Sequence, residues 1–161
     1  MPDIFLKFDP DRPDSIQGGS ENIKYLKWIQ IESFSWGVAN PPADDKSDLP
    51  AVQQELHLTS RVDRQSPKLF EATAKSTRFT SAQLDVVSDG DQQQVFYKVL
   101  AGDVLISSYQ VGGTEAGTTG LMEQYALSFR TLRNEFIPQR PDGSLEPPIV
   151  GSFDFGDPTK G

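Results

Sequence analysis

The chain has 161 residues, a net charge of −8 and no cysteine. The lack of cysteine excludes disulfide frameworks, thiolate zinc sites and cysteine nucleophiles. Its 15 basic residues are scattered along the sequence, so the clustered positive charge that phosphate backbones require is missing, and nucleic acid is not an expected partner. We expect one domain over residues 1–161, since the length suits a single core.

No segment approaches the roughly 18 consecutive apolar residues of a membrane-spanning helix. The first residues also lack the basic and apolar regions of a secretory signal. We therefore expect a protein that is made and folded in the cytoplasm, without a cleavable signal peptide and without insertion into a membrane.

The first half of the sequence alternates apolar and polar residues with the period of a β-strand in three stretches. Residues 4–8 predict the first strand, and residues 52–59 predict the third. In the second, residues 28–36, the apolar side chains change parity after Ile31, which indicates a β-bulge. A short helix over residues 20–27 is an alternative just before that strand.

The stretch from Gly37 to Ala51 joins the second and third predicted strands and is too long and proline-rich for a tight turn. Most connections in compact domains have about 4 to 6 residues, and loops beyond roughly 12 to 15 are usually functional or disordered. Prolines restrict the unfolded chain, so ordering this loop on a partner costs less entropy than ordering a glycine linker. The sequence thus marks the loop as a candidate contact surface.

The strongest helix signal follows the third strand, in residues 64–76. Ser66 is a candidate N-cap, and Pro67 suits the first helical position. The residues predicted to share one face of this helix are Leu69, Phe70, Thr73 and Ala74.

Strand periodicity returns after the helix. Residues 82–86 and 95–100 predict a hairpin, and residues 101–103 predict a turn into a further strand over 104–111. A last strand begins at Tyr125 and extends towards Phe136. Short strands with regular turn signals and one helix predict an all-β fold, a compact barrel of two antiparallel sheets with one short flanking α-helix and a long extended loop.

The sequence offers little for catalysis. His57 is the only histidine and lies on the polar side of a strand, so we expect a surface residue rather than the base of a catalytic triad. Asp9, Asp11 and Asp14 lack the central glycine and terminal glutamate of a calcium loop, which favours a solvated turn. We predict no catalytic residue, no cofactor and no metal site, and hence no enzyme. An acid–base pair among the 23 acidic residues stays an alternative.

Three aromatic residues of the second strand, Trp28, Phe34 and Trp36, share one parity. Aromatic side chains in strands are mostly core or interface residues, although they also stack on sugars. A β-sandwich carbohydrate-binding module is therefore the alternative function from another class.

Four stretches together resemble the Hcp (haemolysin-coregulated protein) family of bacterial type VI secretion. They are "IESFSWGVAN", "VDRQSPKLFEATA", "GDVLISSYQVGG" and "YALSFRTLRNEFIPQRPDGS". The matching positions are Phe34, Trp36, Gly37, Asp63, Ser66, Pro67, Leu69, Ser107, Ser108, Gly112, Gly113, Ser128, Phe129, Phe136, Pro138 and Gln139. The chain departs from the family pattern at Ser76-Thr77, where a glycine is usual, and at Phe153, where a tryptophan is usual.

The resemblance implies hexameric rings that stack into a hollow tube, which a contractile sheath propels out of the cell behind a spike. It implies a homo-hexamer whose further partners are the sheath, the spike or baseplate and effector proteins held in the lumen. The protein would be cytoplasmic when assembled and secreted on injection. A related phage-tail-like injection system is an alternative. The resemblance places the long loop between rings, with candidate contact residues Asn40, Pro41, Pro42, Asp44, Asp45, Asp48, Leu49 and Pro50.

Overall fold

The structure is a computed structural model and describes residues 2–12, 15–40, 51–89 and 93–156. Within those ranges it contains eight strands, one α-helix and two short 3-10 turns. The strands are β1 Asp3–Phe8, β2 Ile29–Ala39, β3 Val52–Arg61, β4 Arg78–Val87, β5 Val95–Gly112, β6 Met122–Ser128, β7 Thr131–Phe136 and β8 Ile149–Asp154. The helix α1 is Ser66–Ala74, and the 3-10 turns are Ile23–Tyr25 and Gly117–Gly120.

The eight strands form one antiparallel sheet in the order β4-β1-β2-β3-β6-β5-β7-β8, and β4 also pairs with β5. This additional pairing closes the sheet into a barrel, from which β7 and β8 extend. The predicted all-β barrel is confirmed. Its two predicted sheets are joined into one because β5, with 18 residues, pairs with β4 and β7 along its first part and with β6 along its second.

The predicted turn at residues 101–103 is wrong, because these residues lie inside β5. Gly102 pairs with Ser81 of β4 on one side and with Thr131 of β7 on the other, so strand pairing on both sides keeps the backbone extended. The next residue, Asp103, adopts a φ of 53°, and its carboxylate accepts a hydrogen bond from Arg78 at 3.2 Å. The turn signal therefore marks a local bend within a continuous strand.

The predicted bulge in β2 is confirmed by a register shift against β3 between Ile31 and Ser33. When the register of a strand changes by one residue, the side chains that follow change to the other face of the sheet. The bulge therefore lets Phe34 and Trp36 pack against the same core as Ile29 and Ile31. The alternative helix over residues 20–27 is wrong, since only the 3-10 turn forms there before Lys27 takes a φ of 66°.

The long loop begins later than predicted, because β2 continues to Ala39. Residues Gly37, Val38 and Ala39 pair with Gln54, Gln53 and Val52 of β3. Asn40 follows the strand, and residues 41–50 lie outside the described ranges.

Helix α1 packs one narrow face on the barrel. Leu69 and Ala72 are buried, whereas Phe70, which we predicted on the apolar face, is 62% exposed. The buried face is centred on Leu69 and Ala72, and successive helical residues are turned by about 100°, so Phe70 faces away from the barrel. Ser66 does not cap a later N–H, since its Oγ accepts a hydrogen bond from the backbone N–H of Asp63 at 3.0 Å.

Apolar side chains from β1 to β7 and α1 meet in one core. Phe8 packs on Phe79 with ring centroids 4.8 Å apart, and Phe129 and Leu127 are fully buried. Strand β8 contributes no buried residue, since all six of its residues are exposed. The burial of apolar surface, which drives folding, is thus supplied by the barrel and the helix.

We expect Leu127→Ala to lower the free energy of unfolding by about 2–5 kcal/mol, because it leaves a cavity in the core. Urea unfolding followed by circular dichroism measures the loss. Ile23→Ala is the matched control, since Ile23 is 94% exposed and its truncation should change stability by less than about 0.5 kcal/mol. Equal effects of the two changes would contradict the assignment of the core.

Candidate functional site

One face of the sheet formed by β2, β3, β6 and the second part of β5 carries mostly small, uncharged polar side chains. Two rows of paired residues cross these four strands: Ser35, His57, Ala126 and Ser108, then Ser33, Thr59, Gln124 and Gln110. Apart from the small Ala126, these side chains are exposed or half-buried. His57 is the one titratable residue in the two rows, which therefore offer hydrogen bonds with little fixed charge. Glu55 and Arg61 lie beside these rows on the same side of β3.

The opposite side of the same four strands faces the core. The intervening row consists of Phe34, Leu58, Tyr125 and Tyr109, as the alternation of side chains along a strand requires. Phe34 stacks on Tyr97 with ring centroids 6.4 Å apart, and the indole N–H of Trp36 donates to the Tyr97 hydroxyl at 3.2 Å. These contacts hold β2 against the core on the side opposite to the polar face.

The polar face ends at two strand edges that have no strand partner within the described residues. Strand β2 pairs with β1 only over Ile29–Ile31, so residues 32–39 have β3 on one side and no strand on the other. Strand β5 pairs with β4 as far as Leu105, so residues 106–112 pair only with β6. Three antiparallel pairings separate β2 from β5, and the two edges therefore run antiparallel to each other.

An apolar groove lies beside the β2 edge, between β2 and the extension formed by β7 and β8. Its volume is about 720 Å³, and the residues that line it include Trp36, Val38, Leu132, Phe153 and Phe155. Gly151 also lines the groove, and a Cβ at this position would meet only the Asn134 side chain, at 3.8 Å. The groove therefore has room for an additional side chain.

A fully buried carboxylate, Glu123, links α1 to the barrel. Its Oε1 accepts hydrogen bonds from Ser60 Oγ at 2.7 Å and from Gln65 Nε2 at 2.6 Å, and its Oε2 accepts one from the Tyr109 hydroxyl at 2.7 Å. Burial and the hydrogen bond to Glu123 raise the pKa of Tyr109 to about 12. Neutral donors from β3, β5 and the start of α1 thus satisfy this buried carboxylate.

Of the residues predicted to contact a neighbouring subunit, Asn40 lies within the described residues. It is exposed at the end of β2 and lines the apolar groove. The other predicted contact residues lie outside the described ranges: Pro41, Pro42, Asp44, Asp45, Asp48, Leu49 and Pro50. Their contact role therefore stays a prediction.

His57 is exposed on the polar face, as predicted. Its partners on the adjacent strands are Ser35 and Ala126, so no carboxylate lies directly opposite it. In the described part of the chain, no group of three or more His, Asp or Glu side chains is arranged to hold a metal ion.

The prediction of a solvated turn at the N-terminal aspartates is correct for Asp11, which is exposed, and wrong for Asp9, which is buried. Asp9 takes a φ of 45°, and its Oδ1 accepts a hydrogen bond from the backbone N–H of Ser81 at 3.0 Å. Asp9 is buried because the end of β1 lies beside β4, where its backbone N–H also donates to the Ser81 carbonyl at 2.8 Å. Asp14 lies outside the described residues.

The three aromatic residues of the carbohydrate-binding alternative do not form one surface. Trp28 packs with Phe5 and Tyr25 in a small separate cluster, whereas Phe34 and Trp36 pack against the main core. The structure thus gives these side chains packing roles in two different places.

Sequence reasoning missed β8 and, with it, the apolar groove. The signal was present, because "IVGSFDF" places Ile149, Gly151 and Phe153 on one side of a strand. The sequence pattern does not show that this side of β8 lies near Trp36. That proximity is determined only when the barrel closes.

The family model described as "Type VI secretion system effector, Hcp" matches residues 5–136 of the chain. This chain belongs to the Hcp family. Protein hcp1 of Pseudomonas aeruginosa is 30% identical to it over 94 residues, and the match spans 58% of this chain and 57% of that relative's length. The predicted identification as an Hcp protein is confirmed.

Solved Hcp structures share the fold. Hcp1 from Salmonella typhimurium has a TM-score of 0.77 at 25% identity, with 96% of this chain and 95% of that chain covered. The secreted protein Hcp3 from Pseudomonas aeruginosa has a TM-score of 0.72 at 14% identity, with 98% and 100% covered. As for membrane helices, the described residues contain none of the length and apolarity needed to cross a bilayer.

We expect Glu123→Ala to lower the free energy of unfolding by about 1–3 kcal/mol, since a buried donor left without a partner costs about that much. Tyr109 loses the acceptor of its hydroxyl in this variant, whereas Ser60 Oγ keeps the Tyr125 hydroxyl and Gln65 Nε2 keeps the Arg61 carbonyl as partners. Urea unfolding measures the loss, with the exposed Glu115→Ala as the matched control. A loss in Glu123→Ala no larger than in the control would show that the buried network contributes nothing.

The raised pKa of Tyr109 predicts a loss of stability in alkali. The folded protein holds this proton more tightly than the unfolded chain, so the stabilisation is complete below the ordinary value of 10.0 and is lost as the pH rises through about 12. Urea unfolding between pH 9 and pH 11.5 should show a smaller decrease for Tyr109→Phe than for the wild-type protein. Parallel curves for the two proteins would contradict this assignment.

Proposed function

We propose that this Hcp protein is the structural subunit of a type VI secretion inner tube, in which hexameric rings stack into a hollow tube propelled by a contractile sheath. The observation that carries the proposal is a polar face bounded by two free, antiparallel strand edges. On this proposal the protein acts through its surfaces and not as an enzyme. It assembles in the cytoplasm as a single domain and is secreted on injection.

The two free edges suit a ring. If the β2 edge of one copy pairs with the β5 edge of the next, the antiparallel sheet continues from subunit to subunit, because the edges run in opposite directions. The two edges are different surfaces, so the contact is heterologous and repeats until the ring closes. Each subunit then adds four strands to one continuous wall.

We further propose that the polar face lines the lumen of that ring. Its serine, threonine and glutamine side chains form hydrogen bonds but carry no charge, so each contact with a passing protein is weak. Repetition around the ring gives many such contacts at once, which raises the overall affinity for an effector protein without a tight individual site. Such a surface suits cargo that must be held and later released.

Contacts between rings are proposed for the segment from Gly37 to Ala51, with Asn40 at the exposed end of β2. A filament needs a second surface in addition to the one that closes the ring. The paired ends of β2 and β3 at Ala39 and Val52 suit this role, because they lie at one end of the polar face along the strand direction, which is the direction in which rings would stack. The sheath and the spike or baseplate are the further partners on this proposal.

Native mass spectrometry of the purified protein should show a hexamer, and negative-stain electron microscopy should show rings with a central hole. The carbohydrate-binding alternative instead predicts monomers. A protein that stays monomeric at high concentration in both measurements would overturn the proposed tube function.

Replacement of residues 37–51 by a short Gly-Ser turn should leave rings that no longer stack into tubes, since the proposed contact between rings is removed. Electron microscopy at high protein concentration measures tube length. A matched variant that changes Asp44, Asp45 and Asp48 to Asn keeps the loop length and tests the charge alone. Tubes of unaltered length from the Gly-Ser variant would contradict the role of this loop.

A further inference from the structure

Helix α1 carries an exposed aromatic ring that the fold of one subunit leaves unexplained. Phe70 is 62% exposed, although its neighbours Leu69 and Ala72 on the same helix are buried. Removal of a phenylalanine side chain from water is favourable, and buried aromatic anchors dominate many protein interfaces. Phe70 is therefore suited to an intermolecular contact.

Phe70 and the apolar groove lie beside different edges of the four-strand polar face. Helix α1 lies against β5, whereas Trp36 and Val38 in the groove belong to β2. In the order β2-β3-β6-β5, these two strands are the opposite edges of the polar face. In a head-to-tail row of copies, the β5 edge with α1 beside it therefore meets the β2 edge of the next copy, which carries the groove.

We propose that Phe70 of one copy inserts into the apolar groove of the next copy. This inference rests on the proposed ring and names one contact that would hold it together. The groove offers Trp36, Phe153 and Phe155 as aromatic partners, and Gly151 leaves space for the incoming ring. The contact joins two different surfaces, so it repeats around a closed ring together with the proposed pairing of strand edges.

Two variants test the contact from its two sides. Phe70→Glu places a charge on the exposed ring position, and Gly151→Phe fills the groove from β8, where a Cβ has ordinary space. Each variant alone should associate at least ten-fold more weakly than the wild-type protein in native mass spectrometry. Ile23→Glu is the matched control, because Ile23 is 94% exposed on a 3-10 turn and belongs to neither surface.

A mixture of the two variants distinguishes this contact from a general loss of assembly. The Phe70→Glu copy keeps an open groove, and the Gly151→Phe copy keeps Phe70, so one intact contact remains between them. We expect the equimolar mixture to form a one-to-one dimer that neither variant forms alone. Circular dichroism checks that each variant is folded, and Phe70→Ser replaces Phe70→Glu if the charged variant is not.

The outcomes separate this inference from the proposed function. If the wild-type protein is monomeric at high concentration, both the proposed ring and the proposed Phe70 contact are overturned. Wild-type rings together with unchanged rings in Phe70→Glu overturn the contact and leave the tube function standing. Weakened association in both variants without a dimer in the mixture overturns the pairing of Phe70 with the groove. If Gly151→Phe disrupts the rings and Phe70→Glu does not, the pairing of Phe70 with the groove is also overturned, since another segment then occupies the groove.

Discussion

The structure depends on one long strand, β5, that pairs with three others. Its first part holds β4 on one side and β7 on the other, and its second part holds β6. The pairing with β4 closes the barrel. It ends at Leu105, and among the residues that the structure describes the rest of β5 then has a strand, β6, on one side only. Closure of the core and exposure of an edge are therefore two consequences of the same strand, which is longer than its neighbours.

Free strand edges are normally a hazard, because their unpaired N–H and C=O groups pair with any other exposed strand. Here the two edges of the polar face differ in sequence and run antiparallel, so each suits the other on a second copy. In the proposed ring, the β2 edge of one copy pairs with the β5 edge of the next, so these edges form the assembly contact. The polar face between the edges has little apolar surface, which reduces association through that face.

The buried carboxylate of Glu123 connects this edge to the helix. Its three donors are Ser60 of β3, Tyr109 of β5 and Gln65 at the start of α1. Ser60 and Gln65 are buried and Tyr109 is half-buried. This hydrogen-bond network therefore holds the start of α1 beside β5. A buried polar group without partners is costly, and a satisfied network therefore favours one arrangement over others. This fixes the direction in which α1, with its exposed Phe70, is presented at the β5 edge.

The sequence by itself determined the all-β class, the bulge in β2, the helix at Ser66-Pro67 and the Hcp resemblance, because these depend on local alternation and short motifs. The family is recognisable because its short motifs stand in this sequence, and the family model matches residues 5–136. Only the tertiary structure decided that residues 101–103 stay in a strand, that Phe70 is exposed, and that Trp36 and Phe153 line one groove. Those features arise from pairing and closure between residues far apart in the chain, and local sequence carries no record of which strands meet.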